Sequence, residues 1–255
     1  MVHDDATTRE LARVWREARE VVVLTGAGMS TASGVPDFRS PGGRWERYQP
    51  VPIQEFLASE EARAEYWRYK GETWRLLQQA RPNPAHEALA RLADAGRLHL
   101  LVTQNVDGLH ERSGFPPEQL VCIHGSDAAV VCMACGARSS REEAQALWES
   151  GVAVPRCGCG GPLKPATISF GQQLVAADLE RAFDAASRCD LFVAAGSSLV
   201  VSPVNHMFPL ARRGGARTAI VTVSGTPFDG EVDLRIAAPV EQVLPAVARA
   251  VAGDV

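Results

Sequence analysis

Short apolar runs alternate with amphipathic segments along most of the chain. The apolar runs cover residues 21–24, 98–102, 190–195 and 220–223. Runs of this length, bounded by turn residues, are typical of parallel strands that are buried on both faces. Helical periodicity marks residues 7–19, 54–79, 85–94 and 240–252. Because strands and helices alternate, the pattern predicts an α/β fold with a parallel sheet and helices on both faces.

Glycine-rich or polar turns follow three of the predicted strands, at residues 25–30, 103–108 and 196–198. Ligands bind at the carboxyl ends of the strands in such sheets, so these turns predict one composite site. Gly26 and Gly28 would let the backbone approach a phosphate at the start of a helix. A tight turn without a ligand explains these two glycines equally well, since Thr31 stands where a dinucleotide motif has its third glycine.

Polar side chains that could take part in catalysis or binding follow two apolar runs, at residues 98–102 and 120–123. Gln104, Asn105 and Asp107 offer donors and acceptors for an amide and for sugar hydroxyls. Helix capping accounts for one such residue but not for three. His124 follows the apolar run 120–123 and could act as a base near neutral pH, although a lone histidine is more often structural.

Four of the six cysteines form two close pairs, Cys132 with Cys135 and Cys157 with Cys159. Two thiolate pairs at this spacing are typical of a structural zinc site, in which the protein fills every ligand position. A redox-active CxxC pair is the alternative. The second cysteine pair and the lack of a βαβ pattern around residue 132 argue against it.

The composition of the chain argues against nucleic-acid binding and against insertion into a membrane. The chain is 46% hydrophobic and 22% charged, which is globular, and its net charge is −4. A mildly acidic chain is a poor general nucleic-acid binder, and the cysteine-rich segment 127–165 has few cations. No apolar stretch is long enough to span a membrane, and the first 20 residues lack a secretory apolar core. We therefore expect a cytoplasmic protein with no direct nucleic-acid or membrane contact; oligomeric state has no sequence signal.

Taken together, these segments resemble the sirtuin family of NAD-dependent protein-lysine deacylases. The matching text also includes residues 34–39, 170–172 and 196–199, all in family order. The resemblance implies a Rossmann-like large domain of about 1–39, 83–126 and 166–255. It implies a small domain made of a helical insertion at about 40–82 and a zinc module at about 127–165. The implied cofactors are NAD and a structural Zn²⁺, and the implied partners are acyl-lysine proteins or peptides.

The resemblance also implies residue roles. His124 would be the general base, and the catalytic set would also contain Asn105, Asp107 and Arg39. The implied cofactor-binding residues are Gly26, Ala27, Gly28, Ser30, Val35, Asp37, Phe38, Arg39, Gln104, Asn105, Asp107, Gly196, Ser197, Ser198, Thr222, Val223, Ser224 and Val240. The implied substrate-binding residues are His124, Ser169, Phe170, Gly171, Ser198, Leu199, Val200, Trp67 and Lys70. The acyl-lysine peptide would pair as a strand with the backbone near 169–171 and 198–200.

The chain departs from the family pattern at several positions. Gln172 replaces the usual Glu at the peptide groove, and Thr222 replaces an Asn that contacts adenosine. Sirtuins that prefer succinyl- or malonyl-lysine carry Tyr-x-x-Arg, and an ungapped register puts Trp67 and Lys70 at those positions. Lysine cannot copy a bidentate guanidinium, so neutral acyl groups are expected, acetyl first.

Two other functions use the same residues. ADP-ribosyl transfer or NAD hydrolysis would use the same nicotinamide pocket but a different acceptor for the sugar. A zinc-stabilised module that senses NAD without turnover is the second. His124 favours deacylation over both, because only deacylation needs a base after the sugar has accepted the acyl oxygen.

Overall fold

The computed structural model describes residues 6–38 and 42–253, and its larger part is a parallel sheet between two layers of helices. The strands are β1 Val21–Thr25, β2 Leu100–Thr103, β3 Leu120–Cys122, β4 Gly125–Cys132, β5 Arg138–Ser140, β6 Leu163–Thr167, β7 Leu191–Ala195, β8 Arg217–Val221 and β9 Leu234–Ile236. The α-helices are α1 Ala6–Glu17, α2 Ile53–Ala58, α3 Glu60–Gln79, α4 Pro84–Asp94, α5 Leu109–Arg112, α6 Arg141–Glu149, α7 Ala176–Arg188, α8 Met207–Arg213 and α9 Val240–Ala252.

The main sheet has the strand order β3-β2-β1-β7-β8-β9, and every neighbouring pair is parallel. This is the doubly wound order in which the chain reverses direction across the sheet between β1 and β7. The Rossmann-like α/β prediction is confirmed. A crevice is expected where the order reverses, at the carboxyl ends of β1 and β7.

The apolar runs are unbroken because both faces of the central strands are covered. All five residues of β1 and of β7 are buried. Val21 and Val23 pack into a core shared with α1, α4 and α9. Val22 and Leu24 pack into the opposite core, which α7 and α8 cover.

A second, three-stranded antiparallel sheet has the order β5-β4-β6. Its apolar face packs Val130 and Leu163 against Trp67 of α3. The four clustered cysteines lie at the end of this sheet, so the cysteine-rich segment and α3 share one small core. The residue limits given above for the two domains stay a prediction.

Two local expectations need correction. The glycine turn after β1 does not lead into an α-helix but into two 3₁₀ turns, Ala27–Met29 and Thr31–Ser33. Gly34 is left-handed at φ 82° and ends the second turn, and Pro36 follows, which is a strong stop signal. The helical region at 54–79 is two helices, because Ser59 is extended and caps α3 by accepting from the Ala62 amide at 3.0 Å. Among the described residues no helix combines the length and the apolar character needed to cross a bilayer.

Candidate active site

A cavity of about 720 Å³ opens at the carboxyl ends of the main sheet. Four of its walls are the segments that follow β1, β2, β7 and β8, and His124 follows β3. Turns that are far apart in sequence thus meet at one site, because parallel strands end at the same edge.

Three glycines allow two of these turns to interlock. The Gly28 amide donates to the Gly196 carbonyl at 2.8 Å, and the Gly26 amide donates to the Ala195 carbonyl at 3.2 Å. A Cβ at Gly26 or at Gly28 would lie 2.9 Å from the Gly196 oxygen, and a Cβ at Gly196 would lie 2.4 Å from the Met29 nitrogen. Close packing of the two turns therefore requires these glycines, before any ligand is considered.

Ser30, Asn105 and Asp107 form one hydrogen-bonded group at the cavity. The Ser30 hydroxyl donates to Asp107 Oδ2 at 2.7 Å, and Asn105 Nδ2 donates to Ser30 Oγ at 3.1 Å. Asn105 Nδ2 also donates to the Gly26 carbonyl at 3.0 Å. Asp107 Oδ1 caps α5 by accepting from the Leu109 amide at 3.0 Å. Capping accounts for one oxygen of Asp107, while the rest of the group offers an amide and a carboxylate to a polar ligand.

Gln104 connects the β2 turn to the β7 turn. Its Nε2 donates to Ser197 Oγ at 2.9 Å and to the Thr25 carbonyl at 3.2 Å. Ser197 Oγ also accepts from the Leu199 amide at 3.2 Å. The hydroxyl of Ser197 is thus held in place at the cavity wall.

The ring of His124 is fixed in one tautomer by its partner. Nδ1 lies 3.1 Å from the Gln104 carbonyl oxygen, which can only accept, so Nδ1 carries the proton. Nε2 then keeps its lone pair. Burial lowers the pKa of His124 and outweighs the opposing effect of the Gln104 hydrogen bond. The imidazole is therefore neutral at pH 7, and its Nε2 is ready to accept a proton.

Aromatic rings line one side of the cavity. The Phe38 and Trp45 rings are 5.6 Å apart, and the Trp45 and Phe170 rings are 6.1 Å apart. The Arg44 guanidinium lies 4.1 Å from the centre of the Phe38 ring, and Arg44 Nε donates to the Pro36 carbonyl at 3.0 Å. These rings form an apolar wall on that side of the cavity.

Helix α3 contributes Tyr66, Tyr69 and Lys70 to the cavity. The Lys70 ammonium is buried 4.0 Å from Asp127 Oδ2. Burial lowers the pKa of Lys70, but the Asp127 carboxylate together with Tyr66 and Tyr69 outweighs burial, and the pKa is raised. Lys70 therefore faces the cavity as a paired cation.

Trp67 does not line this cavity, so its assignment as a substrate-binding residue is wrong for its side chain. The indole is fully buried and its Nε1 donates to the Leu163 carbonyl at 2.9 Å. It also stacks under Arg141, whose guanidinium carbon lies 4.9 Å from the ring centre. Residues one position apart on a helix point about 100° apart, so Trp67 faces the small sheet while Tyr66 faces the cavity.

The other predicted site residues divide into three groups. The structure brings to the cavity wall Gly26, Ala27, Gly28, Ser30, Asp37, Phe38, Gln104, Asn105, Asp107, His124, Ser169, Phe170, Gly171, Gly196, Ser197, Ser198, Thr222, Val223, Ser224 and Val240. Three more do not line it. Val35 packs in a small core with Leu77 and Leu109, the Leu199 side chain is buried in the main core, and Val200 is exposed outside. The expected contact of the Val35 side chain with the cofactor is therefore corrected; pairing of a peptide with the backbone at 198–200 stays a prediction. Arg39 lies outside the described residues.

The sequence reading missed several residues of the cavity wall. Among them are Arg44, Trp45, Tyr48, Tyr66, Tyr69 and Glu241. The positions of Tyr66 and Tyr69 are indicated by the sequence, because their helical spacing puts them on one face of α3 with Lys70. Glu241 follows Val240 in the first turn of α9 and carried no signal of its own.

The four clustered cysteines fit a structural zinc ion. Their Sγ atoms all lie within 4.8 Å of one another, with Cys132 and Cys159 3.5 Å apart and Cys135 and Cys157 3.8 Å apart. A tetrahedral ion with Zn–S distances of about 2.3 Å puts its sulfurs about 3.8 Å apart. Backbone amides of Cys135 and Ala134 lower the pKa of Cys132 to about 6, which favours the thiolate that binds metal.

Comparison with known proteins agrees with this geometry. Residues 26–203 match the sequence model of the Sir2 family. An NAD-dependent protein deacetylase of Rhodopseudomonas palustris is 41% identical over 228 residues, which are 89% of this chain and 90% of that protein. A Sir2 structure with a deacetylated p53 peptide and 3′-O-acetyl ADP ribose superposes with a TM-score of 0.88 at 32% identity, over 94% of this chain and 96% of the other. Another, with a p53 peptide and NAD⁺, gives 0.85 at 33% identity, over 93% and 95%.

Proposed function

The chain belongs to the Sir2 family and is an NAD-dependent protein-lysine deacylase, and from this premise we propose that it removes acetyl groups, with His124 as general base. The observation that carries the role of His124 is its hydrogen bond from Nδ1 to the Gln104 carbonyl. That bond leaves Nε2 as the unprotonated atom, inside the cavity.

NAD, when bound, supplies the ribose carbon that accepts the acyl oxygen of the substrate as nicotinamide leaves. The amides of Gly26, Gly28 and Gly196 already donate to backbone carbonyls, so the fixed Ser197 hydroxyl is the donor that these interlocked turns offer to a diphosphate. Asn105 and Asp107 suit the carboxamide of nicotinamide, which is both a donor and an acceptor. The aromatic wall of Phe38 and Trp45 keeps water from the reacting sugar.

His124 takes a proton from a ribose hydroxyl, so that the hydroxyl oxygen can attack the acyl carbon. Burial holds the pKa of His124 below its usual value, so the ring is mainly unprotonated at neutral pH and can take up this proton. One water molecule would then be consumed, so that the acyl group ends on ADP-ribose and the lysine side chain leaves as the free amine. The zinc ion takes no part, since four cysteines leave it no open position.

Acetyl-lysine is the proposed substrate because α3 offers no site for an acyl group that ends in a carboxylate. The residue at the Tyr position of the Tyr-x-x-Arg pattern, Trp67, faces the small sheet instead of the cavity. The residue at the Arg position, Lys70, has its charge paired with Asp127. Neither side chain reproduces the bidentate site that a terminal carboxylate needs, which favours a neutral acyl group.

The test is mass spectrometry of one reaction, with purified protein and an acetyl-lysine peptide, with and without NAD. We expect free-lysine peptide, O-acetyl-ADP-ribose and nicotinamide only when NAD is present. A succinyl-lysine peptide run in parallel should react at least about tenfold more slowly; faster turnover would overturn the acetyl preference. Nicotinamide release without deacylation would point to ADP-ribosyl transfer or NAD hydrolysis. No NAD consumption with any acyl peptide would point to the non-catalytic sensor.

A further inference from the structure

Two histidines that the proposed mechanism does not use are buried against each other behind the cavity. His86 of α4 and His110 of α5 are 0% and 1% exposed. Their ring centres are 4.8 Å apart and the rings are tilted by 55°. Neither ring lines the cavity, so a role for them must act through other residues.

Two buried threonines, Thr25 and Thr103, link His110 to the backbone amide of Asn105. The Asn105 amide donates to Thr103 Oγ1 at 3.1 Å, and the Thr25 hydroxyl donates to the same oxygen at 2.9 Å. Since the Thr25 proton is used in this way, Thr25 Oγ1 is the acceptor for His110 Nε2 at 3.1 Å. His110 therefore carries its proton on Nε2, and its Nδ1 is an acceptor.

His86 is in the same tautomer for a different reason. The Asn83 amide donates to His86 Nδ1 at 3.3 Å, in the capping box that begins α4. Nδ1 must then be the acceptor, and the proton lies on Nε2.

The two remaining ring nitrogens are complementary. Within the part of the chain that the structure describes, His86 Nε2 and His110 Nδ1 are buried and have no hydrogen-bond partner. By the tautomers just derived, the first is a donor and the second an acceptor. Buried polar atoms almost always find partners, and rings 4.8 Å apart can form an N–H···N contact of about 3 Å after a small rotation.

We propose that His86 Nε2–H donates to His110 Nδ1, which completes a relay from the α4 cap to the Asn105 amide. In this relay each donor has one acceptor: the Asn83 backbone amide donates to His86, His86 to His110, His110 to Thr25, and Thr25 to Thr103, which also accepts from the backbone amide of Asn105. His86 and His110 are then positioning residues for the loop that holds Asn105 at the cavity. The role of Asn105 towards nicotinamide rests on the proposed function; the relay itself does not.

The relay is tested first by NMR of the full-length, zinc-loaded protein with ¹⁵N-labelled histidine at pH 7.5. Long-range ¹H–¹⁵N spectra distinguish the two tautomers, and the variants His86→Gln and His110→Gln assign the signals. We expect both rings as neutral Nε2–H tautomers, with a coupling across the N–H···N bond. A proton on Nδ1 of either ring, a charged ring at pH 7.5, or the absence of that coupling would overturn the proposal.

A second test asks whether the relay positions Asn105. Thr103→Val removes the hydroxyl that accepts from the backbone amide of Asn105, while Thr103→Ser keeps that hydroxyl. We expect Thr103→Val to raise the KM for NAD about tenfold with kcat little changed, and Thr103→Ser to restore it to within about twofold. Equal KM values in the two variants would overturn the positioning role. If the NMR result holds in a protein that consumes no NAD, the relay stands and the proposed function fails.

Discussion

At the scale of single residues, His124 has the clearest expected effect. Replacing it with alanine removes the atom that accepts the ribose proton and leaves the Gln104 carbonyl at the cavity wall without its imidazole partner. We expect His124→Ala to lower the single-turnover rate of O-acyl-ADP-ribose formation by about 10²- to 10⁴-fold, without a change in melting temperature. The control is His99→Ala, whose exposed ring pairs with Glu20 far from the cavity. A His124→Ala enzyme with more than about a tenth of the original rate would eliminate this residue as the base.

Gly196 tests the interlocked turns at the same scale. It is left-handed at φ 62°, and an added Cβ would lie 2.4 Å from the Met29 nitrogen. We expect Gly196→Ala to cost at least about 3 kcal/mol of unfolding free energy, since backbone cannot move aside. Gly215→Ala is the matched control, because Gly215 is also left-handed at φ 90° but has open space around it, and about 1 kcal/mol is expected there. Urea unfolding of both variants is the measurement, and equal losses would mean that the close approach of the turns is not what requires glycine.

The same residues show how far the sequence alone could predict the site. Gly26, Gln104 and His124 follow apolar runs, so their convergence at one sheet edge follows from the strand pattern. Trp67 could not be placed in this way, because the face of α3 that meets the cavity depends on how the helix packs on the small sheet. The pairing of His86 with His110 had no signal either, since the tautomers follow from hydrogen bonds that exist only in the folded chain.

At the scale of elements, a buried ion cluster joins α3 to the small sheet and α6. Asp127 of β4 accepts from Arg141 Nε at 3.3 Å and lies 4.0 Å from the Lys70 ammonium, and Arg141 Nη2 donates to the Lys70 carbonyl at 3.0 Å. Asp127→Asn leaves two buried cations without their anion, so we expect a loss of about 3–5 kcal/mol in unfolding free energy.

An exposed ion pair joins the same two regions and serves as the control. Arg156, beside β6, donates to Glu60 at the start of α3, and both side chains are about half exposed. Arg156→Gln should cost no more than about 1 kcal/mol in the same urea-unfolding measurement. If Asp127→Asn cost as little as Arg156→Gln, the buried cluster would not be what holds α3 to the small sheet.

Some strands and turns can be predicted from the apolar pattern of the sequence, while others depend on how the folded chain packs. The apolar runs of β1 and β7 were predicted because burial on both faces leaves a continuous signal. β5 was not predicted, because all three of its residues are exposed and no apolar pattern marks it. The 3₁₀ turns after β1 also escaped prediction, since the contact of Gly28 with Gly196 decides their geometry.

At the scale of the whole molecule, buried neutral histidines make the fold sensitive to mild acid. Burial lowers the pKa of His86 to about 4, although the Asp107 carboxylate works against this and Arg112 works with it. Burial and the neighbouring His86 lower the pKa of His110, and burial lowers that of His124. An unfolded histidine has a pKa near 6.5, so below that pH the unfolded chain takes up protons that the folded chain does not.

The free energy of unfolding is therefore expected to fall as the pH drops from 7.5 to 5.0, and His86 alone should account for roughly 2 kcal/mol of that loss. Urea unfolding at several pH values, with zinc content measured at each, separates this effect from loss of the metal. His86→Gln should lose about 2 kcal/mol less over the same range, because glutamine takes up no proton in either state. If His86→Gln kept the full pH dependence, the pKa of His86 would be the same in the folded and the unfolded chain, and burial of this ring would not be the cause of the acid sensitivity.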